Sequence, residues 1–289
     1  MGSKLRSDQI EFIEENITSC EKVGIIIRIP DFLYKYSPIN PNFLDSVSQY
    51  YLWLSKPTEF NDFFDSRILL DTDSAVNDID GHMNTVFKNF DFKQKAINMY
   101  TKIREYDPAL FHDLVNIPYL NVVGNFGICC FSTKCDNLLM WSHYANRHKG
   151  VCVKYNFENE KYISSILHPV TYSKEYPKVK YVDSYNYGVF EKLFLTKSID
   201  WKNEDEWRLV QTKYATNLKY EDGGPKNYGR LDVNKSSIVE VVFGCNAVEA
   251  DIEYVKHAFI DAGYSSVVFK QASEVNFRYQ LKFTEIGRI

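Results

Sequence analysis

Residues Trp201-Lys-Asn-Glu-Asp-Glu-Trp-Arg-Leu-Val210, with Lys197 just before them, decide how the chain is read. Read as a strand, the stretch points successive side chains to opposite faces. Glu204, Glu206 and Arg208 then share one face. Trp207 and Leu209 take the other, with Asp205 where the strand begins. Two carboxylates and a guanidinium backed by an indole are an arrangement that a site can use. The plainer reading is an edge strand with a solvated ion pair, which charged strands usually are. A second polar and aromatic cluster at 129–150 favours a site.

Working outward, further runs read as strands: Phe32–Tyr36, Tyr50–Leu54, Gly127–Ser132, Val151–Phe157, His168–Tyr172, Ser237–Phe243, Ser266–Phe269 and Phe277–Phe283. They are rich in β-branched and aromatic residues, and several alternate with period two. Helical spacing appears over 4–23, from Asn40-Pro41 to Ser48, over 137–147 behind Asp136 as N-cap, over 187–196 and over 247–262 before Gly263. Residues 75–118 differ from the rest, with helical spacing at Met83, Val86, Phe87 and Phe90 and few strand signals. The sum predicts one α+β domain over 1–289, with seven to nine strands and a helical insertion at 75–118. The segments 174–188, with its tyrosines, and 216–235 read as loops.

The chain has 289 residues, 45% hydrophobic and 25% charged, which suits an ordinary globular core. A net charge of −4 and the absence of a Lys/Arg block argue against a nucleic-acid footprint. No apolar run approaches a membrane span and no apolar leader is evident, so a cytoplasmic protein with no membrane partner is expected. Six cysteines without a CxxC pair then read as reduced thiols. Their spacing, even with His143 and His148, matches no standard zinc pattern, and no metal site is expected.

Four clusters carry chemistry. Met140-Trp-Ser-His-Tyr144 places Trp141, His143 and Tyr144 on one helix near Ser132, and His143 is a base or ligand contact near neutral pH. A core histidine is the plainer reading. Tyr34-Lys35-Tyr36 offers two aromatic faces on one side of a strand, suited to stacking a planar ligand, with Lys35 opposing them. Ordinary strand packing explains them equally well. Phe60-Asn-Asp-Phe-Phe-Asp65 is more simply turn chemistry than a cation site. In the opening stretch, a glutamate beside an arginine suits stabilisation of positive charge developing at a sugar carbon, with Arg208 holding a phosphate or orienting the glutamate. No GxGxxG, P-loop, HExxH or GxSxG is present.

Together these residues resemble a bacterial domain-of-unknown-function family, number 2971 (DUF2971). The resemblance rests on Leu33-Tyr-Lys-Tyr36, Leu52-Trp-Leu-Ser55, Phe60-Asn-Asp62 with Asp65, Cys130-Phe-Ser132, Leu139-Met-Trp-Ser-His-Tyr144, Lys149-Gly-Val-Cys-Val153, Val170-Thr-Tyr172, Lys197, Trp201, Glu204, Glu206-Trp-Arg-Leu209 and Val242-Phe-Gly244. It spans 31–246. Phe63 stands where the family usually has proline. The layout is similar to the ADP-ribosyltransferase fold, a mostly antiparallel twisted sheet. That similarity implies NAD as substrate and three elements: Tyr34 or Tyr36 early, Ser132 with His143 and Tyr144 in the middle, and Glu206 late. The implied site has Glu206, His143 and Arg208 as catalytic residues. Tyr34, Lys35, Tyr36, Ser132, Trp141 and Tyr144 are the implied cofactor contacts. The implied role is a transferase effector in anti-phage defence or a toxin–antitoxin system, with a protein or nucleic-acid acceptor and an operon or phage partner. The alternatives are a non-catalytic module that binds a nucleotide-like ligand or a phage protein, and a metal-dependent nuclease built from Asp62, Asp65, Glu204 and Glu206.

Overall fold

Ile238-Val-Glu-Val-Val-Phe243 is the clearest strand in the chain, and in the computed structural model it lies inside the main sheet. The structure describes residues 28–71, 93–111, 126–180, 192–212 and 229–289. These form two compact units. One comprises 28–55, 127–170, 200–212 and 229–289. The other comprises 56–71, 93–111, 126, 171–180 and 192–199.

The first unit is an eight-stranded sheet. Its strands are β1 (Leu33–Ser37), β2 (Phe126–Ser132), β3 (Val151–Tyr155), β4 (Leu167–Pro169), β5 (Glu206–Thr212), β6 (Ile238–Phe243), β7 (Val268–Val275) and β8 (Arg278–Arg288). They lie in the order β8-β7-β6-β3-β1-β2-β5-β4. The β6–β7 pair is parallel, while β1–β2, β1–β3, β3–β6, β4–β5 and β7–β8 are antiparallel. The expectation of an α+β chain on a mostly antiparallel sheet therefore holds. The last two strands run longer than the stretches Ser266–Phe269 and Phe277–Phe283 predicted. Val268–Val275 and Arg278–Arg288 pair along most of their length, with two register shifts, because each supplies the other's backbone partners.

Register fixes the two faces. Tyr34 pairs with Ser132 and with Lys154, and Lys154 pairs with Glu240, so these four share a face. Tyr36, Cys152, Val242 and Ala272 continue that face, and Met140, Trp141 and Ala145 cover them. Leu33, Lys35, Val153, Tyr155, Val241 and Phe269 face the other way, where helix Glu249–Asp261 sets Phe259 edge-on to Phe269 at 5.8 Å. Helix Pro41–Ser48 is capped as its sequence predicts: Asn40 Oδ1 accepts from Phe43 N at 2.9 Å, with proline opening the first turn. Gly263 (φ +72°) follows Glu249–Asp261 in the left-handed conformation expected of a C-terminal glycine.

The helix predicted over 137–147 is shorter, Leu138–His143. Asn137, not Asp136, caps it, with Oδ1 accepting from Leu139 N at 3.0 Å and Met140 N at 3.2 Å. Asn146, Arg147 and His148 then take φ of 46°, 57° and 65°. Three consecutive non-glycine residues there are costly and persist only when their surroundings hold them. Arg147 N donates to Ser142 O, His148 N to Trp141 O, and Asn246 N to the His148 carbonyl.

In the second unit, 69–71 pairs in parallel with 178–180, and 171–173 with 196–198. The strand expected over His168–Tyr172 is thus two strands, one serving each unit. Helix Lys93–Tyr106 lies within the 75–118 stretch that reads as a helical insertion. Asp65 and Lys197 form an ion pair at 3.8 Å with both side chains almost wholly buried. The helix read over 4–23, the helical positions Met83, Val86, Phe87 and Phe90, the tyrosines at 181, 185 and 187, the start of the helix at 187–196 and most of the 216–235 loop lie outside the described residues. No helix among the described residues is long and apolar enough to cross a membrane.

Candidate functional site

Glu206 and Arg208, two apart on β5, project from the same face, and they close on each other. Arg208 Nε donates to Glu206 Oε1 at 2.7 Å and its Nη2 donates to Oε2 at 3.3 Å. Arg208 is fully buried and Glu206 is 4% exposed. Trp207 and Leu209 are buried on the opposite face. The solvated-edge reading is therefore wrong: β5 lies between β2 and β4, and the pair sits in a low-dielectric layer. Cys130 of β2 donates to the Glu206 carboxylate. Burial, reinforced by that carboxylate, holds the thiol well above its usual pKa, so it stays protonated. On the other flank, His168 of β4 stands directly across from Arg208. It is buried, and burial lowers its pKa.

Glu204 does not join this row. It ends a 3-10 helix, Ile199–Glu204, and Asp205 follows in the left-handed region at φ 50°. The strand thus starts at Glu206, and the alternation cannot be carried back through the turn. The turn is held by β2. Ser132 Oγ donates to the Glu204 carbonyl at 2.6 Å and accepts from Lys134 N at 3.0 Å. Thr133 donates to Asp205 through both its amide, 3.2 Å from the carbonyl, and its hydroxyl, 2.9 Å from Oδ2. Lys134 Nζ lies 3.1 Å from the same Oδ2. Partial burial opposes ionisation of Asp205, but hydrogen bonds from Lys134 and Thr133 outweigh it and lower its pKa.

Trp141 is fully buried and is a core residue rather than an open stacking surface. Its Nε1 donates to the Cys135 carbonyl at 2.8 Å, Tyr36 meets it edge-on at 5.2 Å, and His148 lies nearly parallel at 6.2 Å. Tyr36 donates its hydroxyl to the Lys134 carbonyl at 2.9 Å. Tyr144 packs against this cluster, half-buried. His143 is exposed, its ring 6.2 Å from Trp201 and 6.3 Å from Tyr144. Asn137 Nδ2 donates to the Asn203 carbonyl at 2.7 Å and ties this helix to the turn before β5.

The predicted residues thus fall into separate places. Tyr34, Ser132, Glu206 and Arg208 occupy one face of three adjacent strands, β1, β2 and β5. Tyr36 lies further along that face, covered by Trp141 of the 138–143 helix, with Tyr144 at that helix's end packed against the same cluster. Lys35 projects from the opposite face, 5.8 Å from the Phe131 ring. Burial pulls its pKa down, but Cys129, Cys130 and Glu206 outweigh that and leave it raised. His168 was not among the predicted site residues. Nothing local marks it, since only the β4–β5 pairing brings it to Arg208. Among the described residues, no three His, Cys, Asp or Glu side chains gather as a metal ion requires.

Residues 140–209 match a family described as "Protein of unknown function (DUF2971)", which supports the family assignment read from the sequence. The matched stretch runs from Met140 to Leu209 and so includes Trp141, His143, His168, Glu206 and Arg208. No curated protein and no solved structure matches the chain.

Proposed function

We propose that the protein is an ADP-ribosyltransferase-like enzyme that takes NAD as substrate. The observation that carries this reading is the row Tyr34, Ser132, Glu206 on one face of the adjacent strands β1, β2 and β5. A glycosyl transfer from NAD passes through a cationic ribose. A carboxylate fixed in a buried, low-dielectric layer stabilises such a cation better than a mobile one in water. Arg208 holds the Glu206 carboxylate in one orientation through both of its oxygens. Ser132 holds the turn before β5 and so sets where Glu206 begins its strand. Tyr34 supplies an aromatic face for the dinucleotide. A role in anti-phage defence or a toxin–antitoxin system, with a protein or nucleic-acid acceptor, belongs to this proposal.

The test is incubation with NAD labelled in its ADP-ribose portion and a cell extract. Label transfer by the wild type, lost in Glu206→Gln and reduced in Tyr34→Ala, is the expected result. No transfer by the wild type sinks the reading. Unfolding curves on each variant separate loss of chemistry from loss of fold.

A second reading, a binding module that does not consume its ligand, is favoured by one observation. Both Glu206 oxygens are engaged by Arg208. Calorimetry with NAD and product analysis of the same sample distinguish the two, since a module leaves NAD intact.

A further inference from the structure

On the face that carries Tyr34 and Ser132, the next strand outward brings Lys154 beside an aromatic pair. Lys154 Nζ lies 3.8 Å from the centroid of Phe32 and 5.9 Å from that of Tyr34. Phe32 is 38% exposed, and Tyr34 and Lys154 are half-buried. The neighbouring cations are neutralised: Lys270 Nζ meets Glu240 Oε2 at 2.6 Å, and Lys134 meets Asp205 at 3.1 Å. Lys154 has no ion-pair partner within 4 Å among the described residues, and the carboxylate across the strand from it, Glu240, is the one that Lys270 holds. Burial raises the pKa of the Tyr34 hydroxyl, and among the carboxylates Glu240 and then the exposed Asp136 add to the shift.

We infer that Phe32, Tyr34 and Lys154 form the subsite for the adenosine-diphosphate end of the dinucleotide. The inference rests on the transferase reading. Aromatic rings stack a base whatever its edge, and an ammonium that lacks a carboxylate partner accepts a phosphate without first giving up an ion pair. A carboxylate at the rim disfavours a bare anion but accepts hydrogen bonds from ribose hydroxyls. That combination selects a nucleotide over inorganic phosphate. Placement agrees: β5, β2, β1 and β3 are consecutive, so Lys154 stands three strand spacings, about 14 Å, from Glu206 across one face. Ser132 and Glu206 are buried, so Phe32, Tyr34 and Lys154 form the open end of that row.

The experiment is isothermal titration of the full chain with ADP, AMP and inorganic phosphate, for the wild type and the variants Phe32→Ala, Lys154→Gln and Lys154→Arg. Expected are binding of ADP more tightly than AMP, no binding of phosphate alone, and at least a tenfold loss of ADP affinity in Phe32→Ala and Lys154→Gln. Lys154→Arg is expected to retain most of it. ADP affinity unchanged in both loss variants, or no ADP binding by the wild type, overturns the inference. Label transfer from NAD is measured on the same samples. Transfer that persists while ADP binding ignores these residues removes the subsite and leaves the transferase reading standing. ADP binding that depends on them without any transfer removes the transferase reading alone.

Discussion

Arg208 holds Glu206 in a two-point grip along a single strand, and neither residue reaches water to any useful extent. Removing one partner strands the other as a buried charge, which costs roughly 3–5 kcal/mol. Glu206→Gln and Arg208→Gln are each expected to lose about that much stability in urea unfolding. The double variant Glu206→Gln/Arg208→Gln is expected to recover a large part, because no uncompensated charge remains. Additive losses in that cycle show that the pair is not coupled.

His168 adds a pH dependence. Burial lowers its pKa in the folded protein, so below the unfolded value of about 6.5 the unfolded chain takes up a proton that the folded chain refuses. The unfolded state binds more protons there, and stability falls as pH falls, by at most about 1.4 kcal/mol per pH unit for one group. Above that value the contribution is fully present. Melting temperatures measured from pH 8 down to pH 5 are expected to decline less steeply in His168→Gln than in the wild type. His148, shifted the same way by burial, contributes in parallel, so the comparison is made one variant at a time.

Trp141 ties the 138–143 helix to the sheet through its contact with Tyr36 and its hydrogen bond to Cys135. Trp141→Ala opens a large cavity and is expected to cost about 3–5 kcal/mol. Trp141→Phe keeps most of the volume and leaves the Cys135 carbonyl without its indole donor, an expected loss of about 1–3 kcal/mol. Denaturant unfolding of both variants measures the difference. Equal losses would mean that the indole N–H and not the packing carries the effect.

Arg147 is an exposed residue at φ 57° in the middle of a left-handed run. Glycine adopts that conformation without the steric cost, which is about 1–2 kcal/mol for other residues, and gives back part of the gain as chain entropy. Arg147→Gly is therefore expected to leave stability unchanged or raise it by up to about 1 kcal/mol. A loss above 1 kcal/mol in thermal unfolding would show that the arginine side chain holds the turn.

The local sequence carried much of the sheet. Alternation located β1 and β3, a β-branched run located β6, and Asn40-Pro41 and Gly263 marked the ends of two helices, because these signals depend on neighbours along the chain. Local sequence also paired Glu206 with Arg208, since a spacing of two decides which side chains share a face. It could not say where β5 begins. Glu204 was carried onto the strand because alternation does not reveal a residue at positive φ, and Asp205 takes that conformation only with Thr133 and Lys134 holding it. Nor could it bury the pair: whether a charged strand lies at an edge or inside depends on strands β2 and β4, distant in the chain. His168 met Arg208, and Lys154 met Phe32 and Tyr34, only through cross-strand register. Such register depends on how the whole sheet assembles, and no window of sequence contains it.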